Sequence, residues 1–519
     1  MKRKLFCAFL ALLLLLPLSG LGESVGSEIV FGMISSKTYT IDPLLPQERE
    51  LVSIYGVVYE SLITIDDDGL PQPYLAESWS YSNGGKTWTF QIRDDVVFSD
   101  GTPLTARDIA ASGNFILQNA KDENASDKGF YRNMTYLVDS FSATGDYTLT
   151  VKAARPYYGL LFAMTFPVIK ESEIGMENPV GTGPYVISSF EPGNYLLLDA
   201  SPTWWQTQPQ VQNITIMFYP NNKSMISAYE YGQVDGVFTR SVAAAQYKSG
   251  KTALSIKYNT RQLEVLMLNH RSRAYPLDSV NVRKAVRYAI NVDTIVSQVY
   301  SGHVSECDTP VPTDSFLYLD QESTFVYNPD KARELLAAEG WSDIDNDNVL
   351  EKVPEGETNA KNLRLSLYVY EDPDNDIRFQ TADLIADMLG EVGFDIHVET
   401  VSYERGLEIL QNGNYDMFLC AFQMDVVPDY GFFLHKSNNQ NYGRYLSSEM
   451  SSLIDTLRKQ PEQSDFIQTT YSIQQLFAED VPFICLFYRS GAVLTRKMYT
   501  TVRTLREFEL LRGIESFGR

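Results

Sequence analysis

The chain has 519 residues, 44% of them hydrophobic, and a formal net charge of −23. That length exceeds the size at which a single core stops growing, so two or three lobes are expected. A surface this acidic excludes a basic groove, and with it DNA or RNA as a partner.

Residues 1–22 start with Lys2, Arg3 and Lys4, continue in a leucine-rich run and close on Pro17 and small residues, with Gly20 and Gly22 suited to cleavage after Gly22. This is an export signal whose removal takes three bases and no acids, so the net charge falls from −23 to −26. The run is shorter than a membrane span needs, and no other segment approaches ~20 consecutive apolar residues. Cys7 falls inside the leader, leaving Cys307, Cys420 and Cys485, which can form at most one internal disulfide and read as buried free thiols.

Asp66-Asp67-Asp68-Gly69 marks a turn, and Ser82-Asn83-Gly84-Gly85 is a hairpin signal with strands on either side. After it Trp88, Phe90 and Ile92 alternate with Thr89 and Gln91, and residues 96–98 are expected to add a second short strand. Asp100-Gly101-Thr102-Pro103 makes a turn, and Thr105 with Asp108 reads as a capping box opening a helix. This block resembles the signature of the family 5 extracytoplasmic solute-binding proteins, the oligopeptide-, dipeptide- and nickel-binding group that serves ABC importers. The resemblance is carried by Leu75-Ala76-Glu77-Ser78-Trp79, by Trp88-Thr89-Phe90-x-Ile92-Arg93 and by Phe98-x-Asp100-Gly101-Thr102-Pro103-Leu104-Thr105-Ala106-x-Asp108.

Later segments extend it. Asn178-Pro179-Val180-Gly181-Thr182-Gly183-Pro184-Tyr185 resembles the family's glycine-rich turn into a returning strand, and Ser201-Pro202-x-Trp204-Trp205 and residues 231–238 resemble two further family segments. The apolar run 263–268 looks like a crossing between lobes, and residues 280–295 match the family's helix pattern, with Val282, Ala285, Val286, Ala289 and Ile290 on one face. Asn328 and Pro329 open another helix, which stops at Gly340. From 363 to 422 the order is strand, helix, strand, helix, strand, and residues 481–487 resemble the return crossing.

The resemblance implies an α/β, two-lobed periplasmic-binding-protein-like fold of type II, with an extra subdomain inserted in the first lobe. Lobe I is expected over 23–62, 179–264 and 487–519, the inserted subdomain over 63–178 and lobe II over 265–486. It also implies a monomeric binding component with no catalytic residues, cofactor or metal, which closes about a hinge on a short peptide or other small solute and docks on ABC permease subunits. Many members are lipoproteins, but Leu21 follows Ser19-Gly20 where the acylated cysteine would stand, so the product is expected to be periplasmic, secreted or at the cell surface without a lipobox cysteine.

By the same resemblance, Asp425 holds the α-ammonium of a bound peptide, with Asp429 as its local rival and solvated loop acids as the alternative for both. The strand edge Ala421, Phe422 and Gln423, with Met424, is expected to pair with the peptide backbone, Phe422 being either an aromatic wall or core packing. In the first lobe Leu45, Pro46, Gln47 and Glu48 should face the cleft. Residues 415–420 lack the arginines that some oligopeptide-binding members use for the ligand carboxylate, so a nickel chelate, an oligosaccharide or another small solute stays open, as do a secreted hydrolase or a surface sensor. The four histidines, His270, His303, His397 and His435, show no metal-ligand spacing. Asp343-x-Asp345-x-Asp347 begins like a calcium loop but has Asn348 for the glycine and Pro354 for the terminal acid, so a solvated turn is expected.

Overall fold

The structure, a computed structural model, describes residues 28–35, 40–46, 48–125, 128–250, 253–271, 276–320, 326–371, 377–496 and 503–517. The expected leader and Gln47 lie outside the described residues. No helix among the described residues is long and apolar enough to cross a membrane.

One mixed eleven-stranded sheet runs through the molecule. At one end lie Asp395–Val401, Arg364–Tyr370 and Met417–Gln423; at the other lie Gly236–Thr239, Glu28–Ile34, Asn213–Tyr219, Tyr195–Ala200 and Tyr185–Glu191. Between them stand two long strands, Leu254–Leu268 and Phe483–Thr495, paired antiparallel along their length, and Val304–Glu306 adds to the second. The first end is a βαβαβ unit whose parallel pairings run through the helices Ile377–Gly390 and Tyr403–Asn412, as the alternation of apolar runs and helical periods requires. Its core holds Leu365, Leu367, Ile385 and Leu389; a second, larger cluster runs from Phe31 and Ile216 at the far end of the sheet across to Phe422, Phe433 and Phe466. This is the two-lobed architecture expected.

The crossing strands are longer than their apolar runs suggest, because residues 254–259 pair with 490–495 on the far side of a register break. Between Asn259 and Leu263 the ladder shifts, and Thr260, Arg261 and Gln262 bulge out. Thr260 Oγ1 donates to the Arg489 carbonyl at 2.8 Å, and the Arg261 amide donates to the buried Glu507 carboxylate. Next to the bulge, Glu264 is 1% exposed and meets Arg378 Nη2 at 2.9 Å and Arg489 Nε at 2.5 Å. Burial alone would raise the Glu264 carboxyl, but the two guanidinium groups outweigh it and hold it below the ordinary range.

A four-stranded sheet of Ala76–Ser82, Thr87–Ile92, Thr148–Ala153 and Val138–Gly145 stands apart. Its hairpin turns at Asn83-Gly84-Gly85, with Gly84 and Gly85 at φ 61 and 87, and Trp88 and Phe90 are buried beneath it. The capping box forms as expected and opens the helix Ala106–Lys121. One expectation fails locally. Residues 96–98 form no ladder strand, only a Val97–Pro103 bridge, because the Phe98 and Gly101 amides are spent within the turn. The helix carrying Val282, Ala285, Val286 and Ala289 forms as Val280–Ala289, and Asn291 Oδ1 accepts from the Thr294 amide to start a further helix, Val292–Gln298. Cys307, Cys420 and Cys485 are buried and unbridged, and burial pushes the Cys420 thiol up to about 12.

Gly181 and Gly183 let the turn before Tyr185–Glu191 lie against the backbone at Val57 and Val58; a Cβ on Gly181 would sit 2.0 Å from the Val58 oxygen. Gly181→Ala should therefore lower unfolding stability by about 1–3 kcal/mol, read as a reduced thermal midpoint. For Glu264 the folded carboxyl is depressed, so its contribution is present above the unfolded value near 4.5 and is lost as pH falls through the folded one. Glu264→Gln should cost about 3–5 kcal/mol at neutral pH and flatten the acid limb of the stability profile in urea titrations.

Candidate functional site

Where the two ends of the molecule face each other, the structure encloses a cavity of about 460 Å³. Residues from 52 to 69 with Phe130, Phe162 and Thr165 form one side, residues from 310 to 317, residues 424–428 and Tyr430 the other, and Asn259, Thr260, Arg261 and Tyr488 of the crossing strands the floor. A second cavity of about 350 Å³ shares Phe130, Tyr131, Phe162, Met424, Asp425 and Phe508 with it, so the two are chambers of one cleft. Volumes in this range suit small-molecule or short-peptide ligands.

Asp425 sits where both chambers meet. The strand Met417–Gln423 delivers it, and the bulge at 260–262 fixes its backbone: the Met424 amide donates to the Arg261 carbonyl at 2.8 Å and Arg261 Nη1 donates to the Asp425 carbonyl at 2.7 Å. Its carboxylate accepts from the Val427 amide at 3.0 Å and from the Asn133 side-chain amide, which comes from the opposite wall. Asp429 is spent elsewhere, in a bidentate pair with Arg458 at 2.8 Å per bond and in a bond from the Gly431 amide; it lines neither chamber. The two aspartates thus stand in different surroundings, Asp425 on the wall of both chambers and Asp429 in an ion pair outside them.

The other expected contacts divide. Gln423 is exposed and lines the smaller chamber, Met424 lines both, and Pro46 lines the smaller. Ala421, Phe422, Leu45 and Glu48 line neither. Phe422 is core, packed against Phe433, Phe432 and Phe483 at centroid distances of 5.1, 5.6 and 6.1 Å. Leu45 is held by its amide's bond to Asp42 at 3.1 Å, and Glu48 precedes the helix Arg49–Tyr55. Parallel pairing of Met417–Gln423 with Arg364–Tyr370 stops at Leu419, so among the described residues that edge of 420–423 has no ladder partner, while the other edge pairs with 262–265.

The aromatic wall comes from elsewhere: Phe130, Tyr131 and Phe162 with Phe508, where Phe130 meets Tyr131 at 5.0 Å and Phe508 at 4.8 Å, both edge to face. The C-terminal segment 503–515 lines the larger chamber, and sequence reading assigned it no contact. Its arginines at 503, 506 and 512 were the available signal in a chain so acidic. Arg506 carries a buried Nη2 with no hydrogen-bond partner among the described residues. Glu60, 1% exposed at the cavity wall, accepts from Tyr74 Oη at 2.7 Å and from Trp204 and Trp205 at 3.0 and 2.9 Å; burial pushes its carboxyl up against these donors. Further contacts hold the cleft shut, among them Tyr157 Oη to the Pro428 carbonyl at 2.6 Å and Phe162 stacked on Phe316 at 6.3 Å. None of the four histidines lines either chamber; His435 instead faces Ser437 and Asp455.

The family model of bacterial extracellular solute-binding proteins, family 5 Middle, matches residues 71–444. The oligopeptide-binding protein AppA of Bacillus subtilis is 23% identical over 488 residues, 89% of this chain and 86% of that protein. The nickel-binding periplasmic protein of Escherichia coli is 29% identical over 304 residues, covering 55% and 56%. Among solved structures, HbpA2 from Haemophilus parasuis superposes with a TM-score of 0.79 at 18% identity, covering 94% of this chain and 99% of that one, a likeness of fold.

Proposed function

The chain belongs to family 5 of the bacterial extracellular solute-binding proteins, and from that premise we propose that it captures short peptides in the interlobe cleft and delivers them to an ABC permease. The observation that carries this reading is the placement of Asp425: a carboxylate on the cleft wall, backed by the hinge and facing a chamber. A peptide ammonium leaving water needs an opposite charge, and such a charge-assisted bond contributes roughly 1.5–3 kcal/mol. Main-chain bonds to the open edge at 420–423 then hold the peptide without reading its side chains, and water fills what varied residues leave empty. Arg506 offers a guanidinium for the ligand carboxylate, the part that residues 415–420 lack.

The lobes, 23–62 with 179–264 and 487–519 against 265–486, with 63–178 carried on the first, close about the register break at 260–262. The closed monomer docks on the permease outside the cytoplasm and catalyses nothing. A nickel chelate is the second reading, supported by the nickel-binding relative; with no histidine on the chamber walls it would have to be held through its organic ligand.

In calorimetry, Asp425→Ala should weaken free-amine peptides by about 10- to 150-fold and leave N-acetylated peptides unaffected. In a thermal-shift screen a peptide pool should raise the midpoint by mass action; silence with peptides and a shift with a nickel chelate or an oligosaccharide would overturn the ligand assignment.

A further inference from the structure

Residues 342–351 fold back after the helix Pro329–Ala338 and are closed by an exchange of backbone bonds, Ser342 amide to Glu351 carbonyl at 3.0 Å and Glu351 amide to Ser342 carbonyl at 2.8 Å. Within this loop Asp343, Asp345, Asp347 and Glu351 bring carboxylate oxygens within 4.8 Å of one another. The aspartates are exposed, but Glu351 is only 5% exposed. One of its oxygens, Oε2, accepts from the Ile344 amide at 2.8 Å. The other, Oε1, is buried with no hydrogen-bond partner among the described residues. A buried carboxylate oxygen with no donor is costly, and four like charges this close add repulsion. No lysine, arginine or histidine among the described residues forms an ion pair with any of the four.

We propose that these four carboxylates form a calcium site, remote from the ligand cleft and independent of the ligand it takes. Sequence spacing looked for the closing acid at Pro354; the structure brings in Glu351, three residues earlier, where the chain enters the short strand Glu351–Lys352. Asn348, at φ 72, makes the left-handed turn that glycine makes in loops of this spacing. A hard divalent cation is the partner for an all-oxygen set. Calcium takes six to eight oxygens at about 2.3–2.6 Å in flexible geometry, which suits carboxylates gathered on a loop, whereas magnesium demands near-ideal octahedral geometry and is seldom held by an all-protein cage. Beside Glu351, Leu350 bonds to the Gly393 carbonyl and receives the Leu363 amide, so an ion here would tie the loop to the start of the strand Arg364–Tyr370.

The test is calcium titration of the full chain after chelation, by calorimetry and by thermal midpoint. One calcium per chain should bind with a dissociation constant at or below ~1 mM, the range of extracellular calcium modules, and the midpoint should rise. Asp345→Asn, an exposed change that leaves the fold intact, and Glu351→Gln should each weaken binding by roughly tenfold or more. Absence of saturable binding, wild-type affinity in Asp345→Asn, or magnesium binding as tightly as calcium would each overturn the assignment.

Discussion

Everything in this molecule hangs on two strands that belong to both lobes. Leu254–Leu268 and Phe483–Thr495 run fifteen and thirteen residues, about 40–50 Å of extended chain, and pair with each other on both sides of the cleft. A continuous ladder would make the molecule rigid. The break at 260–262 localises the bend, and the side chains and backbone around it are held by Arg489, Glu507 and Asp425. Because Asn259, Thr260 and Arg261 also floor the larger chamber, the register break and the chamber floor are one piece of chain.

Four buried glutamates show how an acidic chain manages charge taken out of water. Glu60 is satisfied by three neutral donors, Glu264 by two arginines, and Glu507 by Arg240 and the bulge amide. Each sits at a junction, between the cavity wall and the tryptophans 204 and 205, between the crossing strands and a helix, or between tail and hinge. Glu351 has one amide for two oxygens, and its difference from the other three singles out its loop.

Features legible in the sequence are those whose hydrogen bonds close within a few residues. The Asn83-Gly84-Gly85 hairpin, the Thr105–Asp108 box and the Asn328 cap each carry their partners in the local chain. Resemblance favoured Asp425 over Asp429, but what holds Asp429 away from the chambers was not legible, because it is Arg458, twenty-nine residues away. Phe422 could not be placed on wall or core from a strand of apolar residues on both faces; the aromatic cluster of Phe432, Phe433 and Phe483 decides it. The aromatic wall is the extreme case, since Phe130 and Phe508 meet across most of the chain.

The tail adds a matter of timing. Chains are made from the N-terminus, so residues 503–515, which close the larger chamber, are the last part of that wall to be synthesised. Glu507 reaches back 246 residues to fix the bulge, and Phe508 completes the aromatic wall. Until then the crossing strands can pair, yet the bulge lacks the Glu507 carboxylate, the chamber lacks one side and the core lacks Leu505, Leu511 and Ile514. The segment thus completes the packing around the chamber as well as the chamber itself, since Leu505, Leu511 and Ile514 are buried in the core it joins.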